Sequence, residues 1–143
     1  MIVVVSEAIV DVSGFPCVRI TYPAEMSLDD IERLMVKMLD IHKQRGPFLT
    51  IDDISKLDQS KVTALHRKRL AEHTDRLAER GALIAEIVVV PSLLLRAVFT
   101  GYSWMRQRNS HPLLACATVD EANREAAKIL AARRAVKGAE LRG

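Results

Sequence analysis

The residues best equipped for chemistry gather in "FLTIDDISKLDQSKVTAL", residues 48–65, where Asp52, Asp53 and Asp58 precede Ser60. Ser60 stands where an alternating run gives way to a helical one. Its hydroxyl could cap that helix by accepting a first-turn N–H. Capping is the expected role, though the residue could also carry a phosphate, which the free N–H groups and positive dipole end of a helix favour. The three nearby carboxylates would repel such a phosphate. They also raise a Mg²⁺ reading, because ligands of open α/β sheets bind at the carboxyl ends of the strands. Neighbours on a strand point to opposite faces, however, so Asp52 and Asp53 are not expected to grip one ion.

Other constellations are poor in chemistry. His66 and His73 lie seven apart on one helical run, about 10.5 Å along the axis, too far to share a metal. They flank the stripe of Val62, Leu70 and Leu77 and are expected as half-buried boundary residues. His42 and His111 fall at a helix end and a turn, with no nucleophile or acid at triad spacing. Cys17 and Cys116 sit in apolar runs a hundred residues apart and are expected as buried free thiols. The six glycines form neither GxGxxG nor GxxxxGK. No enzyme activity, cofactor or metal is expected.

The elements that must position these residues follow from periodicity. "IVVVSEAIVDV" (2–12) and "PCVRITY" (16–22) alternate around "SGF" and predict an antiparallel strand pair. "SLDDIERLMVKMLDIHKQRGP" carries a helical stripe of Leu28, Ile31, Leu34, Met35, Met38 and Ile41, with Ser27 and Asp30 at capping-box spacing and Gly46-Pro47 as its stop. "FLTID" predicts a strand, and "SKVTALHRKRLAEHTDRLAERG" a second helix ending at Gly81. "ALIAEIVVV" has the β-branched richness of a strand buried on both faces. A third helix is expected over "SLLLRAVFTGYSWMRQR", a last strand over "PLLACATV", and a fourth helix over "DEANREAAKILAARRAVKG" with Thr118 and Glu121 at its cap.

The order β-β-α-β-α-β-α-β-α predicts an α/β fold: a five-stranded mixed sheet with four helices, one domain over residues 1–143, with an ordered core to about 136 and a short basic tail. On the third helix Leu94, Leu95, Val98, Tyr102 and Met105 would face the sheet. Leu93, Ala97 and Trp104 then share a second flank, covered either by the fourth helix or by a partner.

Charge is uneven. Residues 1–58 hold six Lys/Arg against ten Asp/Glu, about −4, and the remainder fifteen against eight, about +7. The basic residues are spread over three helical segments and aromatics make up only 4%, so a solvated basic surface is expected rather than a nucleic-acid site. "IVVVPSLLLRAVFTGYSWM" is broken by Pro91, Arg96 and Gly101, and the N-terminus has no basic n-region. Neither membrane insertion nor secretion is expected, which points to the cytoplasm.

This element order, with the acidic "IDDISKLDQS" leading into the second helix, resembles the STAS domain shared by anti-sigma factor antagonists and the cytoplasmic tails of sulfate transporters. "VVVPSLLLRAVFTGYSWM" followed by "HPLLACATVDEANREA" resembles the small free-standing bacterial members. In the antagonists an Asp-Ser-Ser-Gly motif precedes the second helix, and a partner kinase phosphorylates its second serine. Asp58, Gln59, Ser60 and Lys61 occupy those places; Asp58 and Ser60 match, whereas Gln59 and Lys61 depart. The resemblance implies a non-catalytic interaction module of a bacterial regulatory system. Its partner would be a regulatory kinase, an anti-sigma-like protein or another signalling protein, or a second copy in a homodimer. The contact would use Asp58, Gln59, Ser60 and Lys61 with Leu93, Ala97 and Trp104. The alternative is a small apolar ligand held between the third helix and the sheet by residues such as Val98, Tyr102 and Met105.

Overall fold

The computed structural model describes residues 1–5, 7–97 and 111–143. Six strands form one mixed sheet in strictly sequential order: β1 (Ile2–Val5), β2 (Ala8–Asp11), β3 (Cys17–Thr21), β4 (Phe48–Asp53), β5 (Leu83–Val89) and β6 (Leu113–Cys116). The first three are antiparallel, and β3 to β6 are parallel. Helices α1 (Leu28–Arg45) and α2 (Ala64–Glu79) follow β3 and β4, residues 93–97 are helical (α3), and α4 (Val119–Arg142) follows β6.

The sheet has six strands where five were expected, because residues 2–12 form two. Val5 pairs with Ala8 and Val3 with Val10, so the chain reverses between them. The physical reason is a change of phase. Val3 and Val5 turn inward at odd positions, whereas Ala8, Val10 and Val12 do so at even ones, and no single strand can put both sets on one face.

Right-handed crossovers that always step the same way across a sheet stay on one face. There α1 and α2 bury Ile31, Leu34, Met35, Met38 and Leu77 against Val10, Val18, Ile20 and Phe48. Helix α4 has no further strand to reach and covers the other face, placing Ala122 and Ala126 on Leu49, Ile51, Ala85 and Ile87. Arg19 reaches across from β3 and donates to Asn123 Oδ1 at 2.8 and 3.2 Å. Strand β5 lies inside the sheet between β4 and β6, as its two-sided apolar pattern demands.

The caps of α1 and α4 follow the sequence. Ser27 and Asp30 form a complete capping box, Gly46 ends α1 at φ 90°, and Thr118 accepts from Glu121 N. Helix α4 continues to Arg142, so most of the expected basic tail is helix. Leu94, assigned above to the sheet-facing side of the third helix, is 76% exposed, as is Leu93. Val98, Tyr102, Trp104 and Met105 lie outside the described residues. Cys17 and Cys116 are both buried free thiols.

The two-sided core makes a quantitative prediction. Ile87 is fully buried and Val4 largely exposed. In urea unfolding Ile87→Ala should cost about 2–5 kcal/mol, and Val4→Ala no more than about 0.5 kcal/mol. Equal losses would contradict the assigned strand faces.

Candidate functional site

The loop after β4 is exposed but locally tied. Asp53 Oδ1 accepts from Ser55 N at 3.0 Å, and Asp58 Oδ1 accepts from both Ser60 N at 3.0 Å and Ser60 Oγ at 2.6 Å. These bonds from Ser60 hold the Asp58 carboxyl below its ordinary range. They also fold Gln59–Lys61 into a single 3-10 turn. Ser60 therefore does not cap α2. That role belongs to Thr63, whose side chain accepts from His66 N, while Thr63 N donates to His66 Nδ1. The cap falls three residues later than Ser60, because the Asp58–Ser60 turn competes locally for the serine.

The connector between β3 and α1 holds this loop in place. Ala24 O accepts from Asp58 N at 2.8 Å, and Glu25 pairs with Lys61 at 3.1 Å. Met26 O lies 3.0 Å from His66 Nε2. A carbonyl only accepts, so the His66 proton sits on Nε2, which leaves Nδ1 free to accept from Thr63.

The same connector begins at a polar cluster that spacing alone did not reveal. Tyr22, Thr50, Asp52, His73, Thr74 and Glu86 line a cavity of about 60 Å³ between the sheet and the α1/α2 layer. Ile31, Leu34, Met35 and Met38 close it from α1. Tyr22 Oη donates to Asp52 Oδ1 at 3.2 Å and Thr50 Oγ1 to Asp52 Oδ2 at 3.0 Å. His111 Nε2 stands 2.6 Å from Glu86 Oε2. Burial, with the Glu86 charge added, raises the Asp52 pKa from 3.8 to about 7 against the opposing pull of Thr50 and Tyr22. Burial likewise pushes the Tyr22 phenol well above its ordinary value.

His73 is not the half-buried boundary residue that the helical stripe implied; it is 3% exposed. Neither ring nitrogen has a hydrogen-bond partner among the described residues. Glu32 Oε1 lies 3.2 Å from Nε2, close enough for ionic attraction but off the line of a hydrogen bond. Two signals could have located the cluster: Thr50 and Asp52 alternate with Phe48 on the inward face of "FLTIDD", and Glu86 interrupts an otherwise apolar strand.

Of the residues assigned to a site by sequence, Asp58, Gln59, Ser60 and Lys61 come together on one exposed turn. Leu93 and Ala97 are exposed on α3, and Trp104 lies outside the described residues. Asp52 and Asp53 part to opposite faces of β4, and among the described residues no group of three His, Cys, Asp or Glu is placed to hold a metal ion. No helix among them is long and apolar enough to cross a membrane. Comparison of the chain with protein-family models, curated proteins and solved structures finds no match.

Two predictions follow from the geometry. Thr63→Ala should cost about 1 kcal/mol in denaturant unfolding, as loss of a helix cap does, and Ser60→Ala clearly less; the reverse order would restore Ser60 as the cap. For Asp52, the folded chain holds the proton to about pH 7 and the unfolded chain releases it near 3.8. Its contribution to stability is therefore complete below pH 3.8 and is lost as pH rises through 7, at up to about 1.4 kcal/mol per pH unit. Asp52→Asn should remove that slope from a pH series of urea midpoints. An unchanged slope would show that Asp52 ionises normally.

Proposed function

We propose that this chain is a non-catalytic protein-interaction module of the STAS type, which binds a regulatory partner or a second copy through the turn at Asp58, Gln59, Ser60 and Lys61. The observation that carries the reading is the state of that turn. It is exposed at the carboxyl end of a central parallel strand, yet its backbone is already set by Asp58, Ala24 and the Glu25–Lys61 pair. A surface held in one conformation before contact loses little conformational entropy on binding. Leu93 and Ala97, exposed on α3, are the apolar residues this reading adds to the contact.

Phosphorylation of Ser60 would act through this geometry. Its hydroxyl donates to Asp58 at 2.6 Å, and a phosphate there would replace that bond with repulsion between two anions. The turn would open, and the adjacent Lys61, paired with Glu25, is a cation that could turn to the new charge. In this reading Ser60 regulates contact without contributing to the start of α2.

The test is site-specific photo-crosslinking in the native cell, with the crosslinker at Gln59 and, as a control, at the exposed Val36 on α1. A single protein, or this chain itself, should be trapped at Gln59, not at Val36, and should be lost with Ser60→Asp. The same products at both positions, or a Gln59 product indifferent to Ser60→Asp, would contradict the proposal.

A further inference from the structure

The cavity between the sheet and the α1/α2 layer has a one-sided chemistry that the interaction reading does not use. Tyr22, Thr50, Asp52 and Glu86 from the sheet side and His73 and Thr74 from α2 make up its polar lining, and α1 gives only apolar side chains, so it matches a molecule with one polar end and a short hydrocarbon body. A volume of about 60 Å³ admits roughly four water-sized groups. Among the described residues no Lys or Arg lines it. An anionic head would meet Asp52 and Glu86 with no lysine or arginine to offset them.

The polar wall is short of donors. Tyr22 and Thr50 both spend their hydroxyl hydrogens on Asp52. Glu86 already faces His111. Only Thr74 adds a hydroxyl whose direction is open, since a hydroxyl serves as donor or acceptor. His73 supplies the independent sign of an occupant. It is 3% exposed, lines the cavity and has no hydrogen-bond partner among the described residues. Glu32 stands beside Nε2, so among the described residues Nδ1 is the ring nitrogen left wholly without a neighbour of opposite character, and it accepts whenever the ring carries its one proton on Nε2. A buried acceptor without a partner costs free energy that a donating ligand would recover.

We propose that this cavity is a binding site for a short-chain alkylammonium ion, with its ammonium group between Asp52, Glu86 and His73 and its alkyl chain against Met35, Met38 and Leu70. An ammonium brings three donors to a wall of acceptors and a positive charge to one buried and one partly buried carboxyl. On binding, a protonated Asp52 would release its proton to solvent and ionise against the ligand. Among the described residues, the charged or titratable groups around the ammonium are Tyr22 just after β3, Asp52 from β4, Glu86 from β5 with His111 behind it, and His73 from α2 beside Glu32 of α1, which also pairs with Arg69.

Methionine methyl NMR locates the event, because Met35 and Met38 line the cavity and Met1 does not. Propylammonium, propanol and propionate would be titrated separately into the intact protein above pH 7. Propylammonium should shift the Met35 and Met38 methyls saturably and leave Met1 unmoved, with at least about tenfold higher affinity than propanol. Propionate should not bind. Asp52→Asn should weaken propylammonium about tenfold or more, and Leu70→Trp, which fills the apolar end, should abolish the shifts with Asp52 intact. Equal binding of propanol would show an apolar hole without charge selectivity. Tighter binding of propionate, or unmoved Met35 and Met38 methyls with propylammonium, would overturn the assignment. None of these outcomes depends on a protein partner at the Ser60 turn.

Discussion

Strands β4 and β5 carry apolar side chains on both faces, and a sheet built on such strands must be covered twice. Leu49, Ile51, Ala85 and Ile87 look towards α4, while Phe48 and Val88 lie on the face of α1 and α2. The order of the chain then decides which helix goes where. Crossovers that step one way keep α1 and α2 together, and only the helix after the last strand is free to close the opposite face. That division leaves the α4 layer almost wholly apolar in its contact with the central strands. The polar residues Thr50, Asp52 and Glu86 are thereby confined to the other face, where α2 brings His73 to meet them.

The elements that were legible in the sequence are those specified locally. Ser27 with Asp30, Thr118 with Glu121 and Gly46 each define a helix end within four residues, and "ALIAEIVVV" declares its two buried faces by itself. The β1–β2 reversal was also written locally, in the phase slip between Val5 and Ala8, but the unbroken apolar run of Ile2 to Val5 has no visible phase and hides it. At the second helix two caps compete. Ser60 and Thr63 are both good capping residues, and the choice falls to Thr63 because Asp58 takes both Ser60 donors and His66 completes the box from the third helical position.

The buried cluster was the least legible part, and the reason is distance along the chain. Tyr22, Asp52, His73 and Glu86 are brought together only by the parallel register of β3, β4 and β5 and by the seat of α2 upon them. Read singly, Asp52 is a strand-end carboxylate and His73 a residue at the edge of a helical stripe. The turn at Ser60 and the cluster are nonetheless neighbours through one short segment. Tyr22 bonds Asp52, Ala24 takes the Asp58 amide, Glu25 pairs with Lys61 and Met26 meets His66. Four of the five residues from 22 to 26 thus join the cavity to the exposed turn and the start of α2.

Everything assigned to the α1/α2 face rests on Asp52 being a carboxyl kept from water beside a second one. Its carboxyl carbon reports this directly, without reference to stability or to any ligand. In a ¹³C NMR pH titration of the intact protein, the Asp52 resonance should titrate with a midpoint near 7. A midpoint near its ordinary 3.8 would mean that water reaches the group, and the cavity as described would not exist.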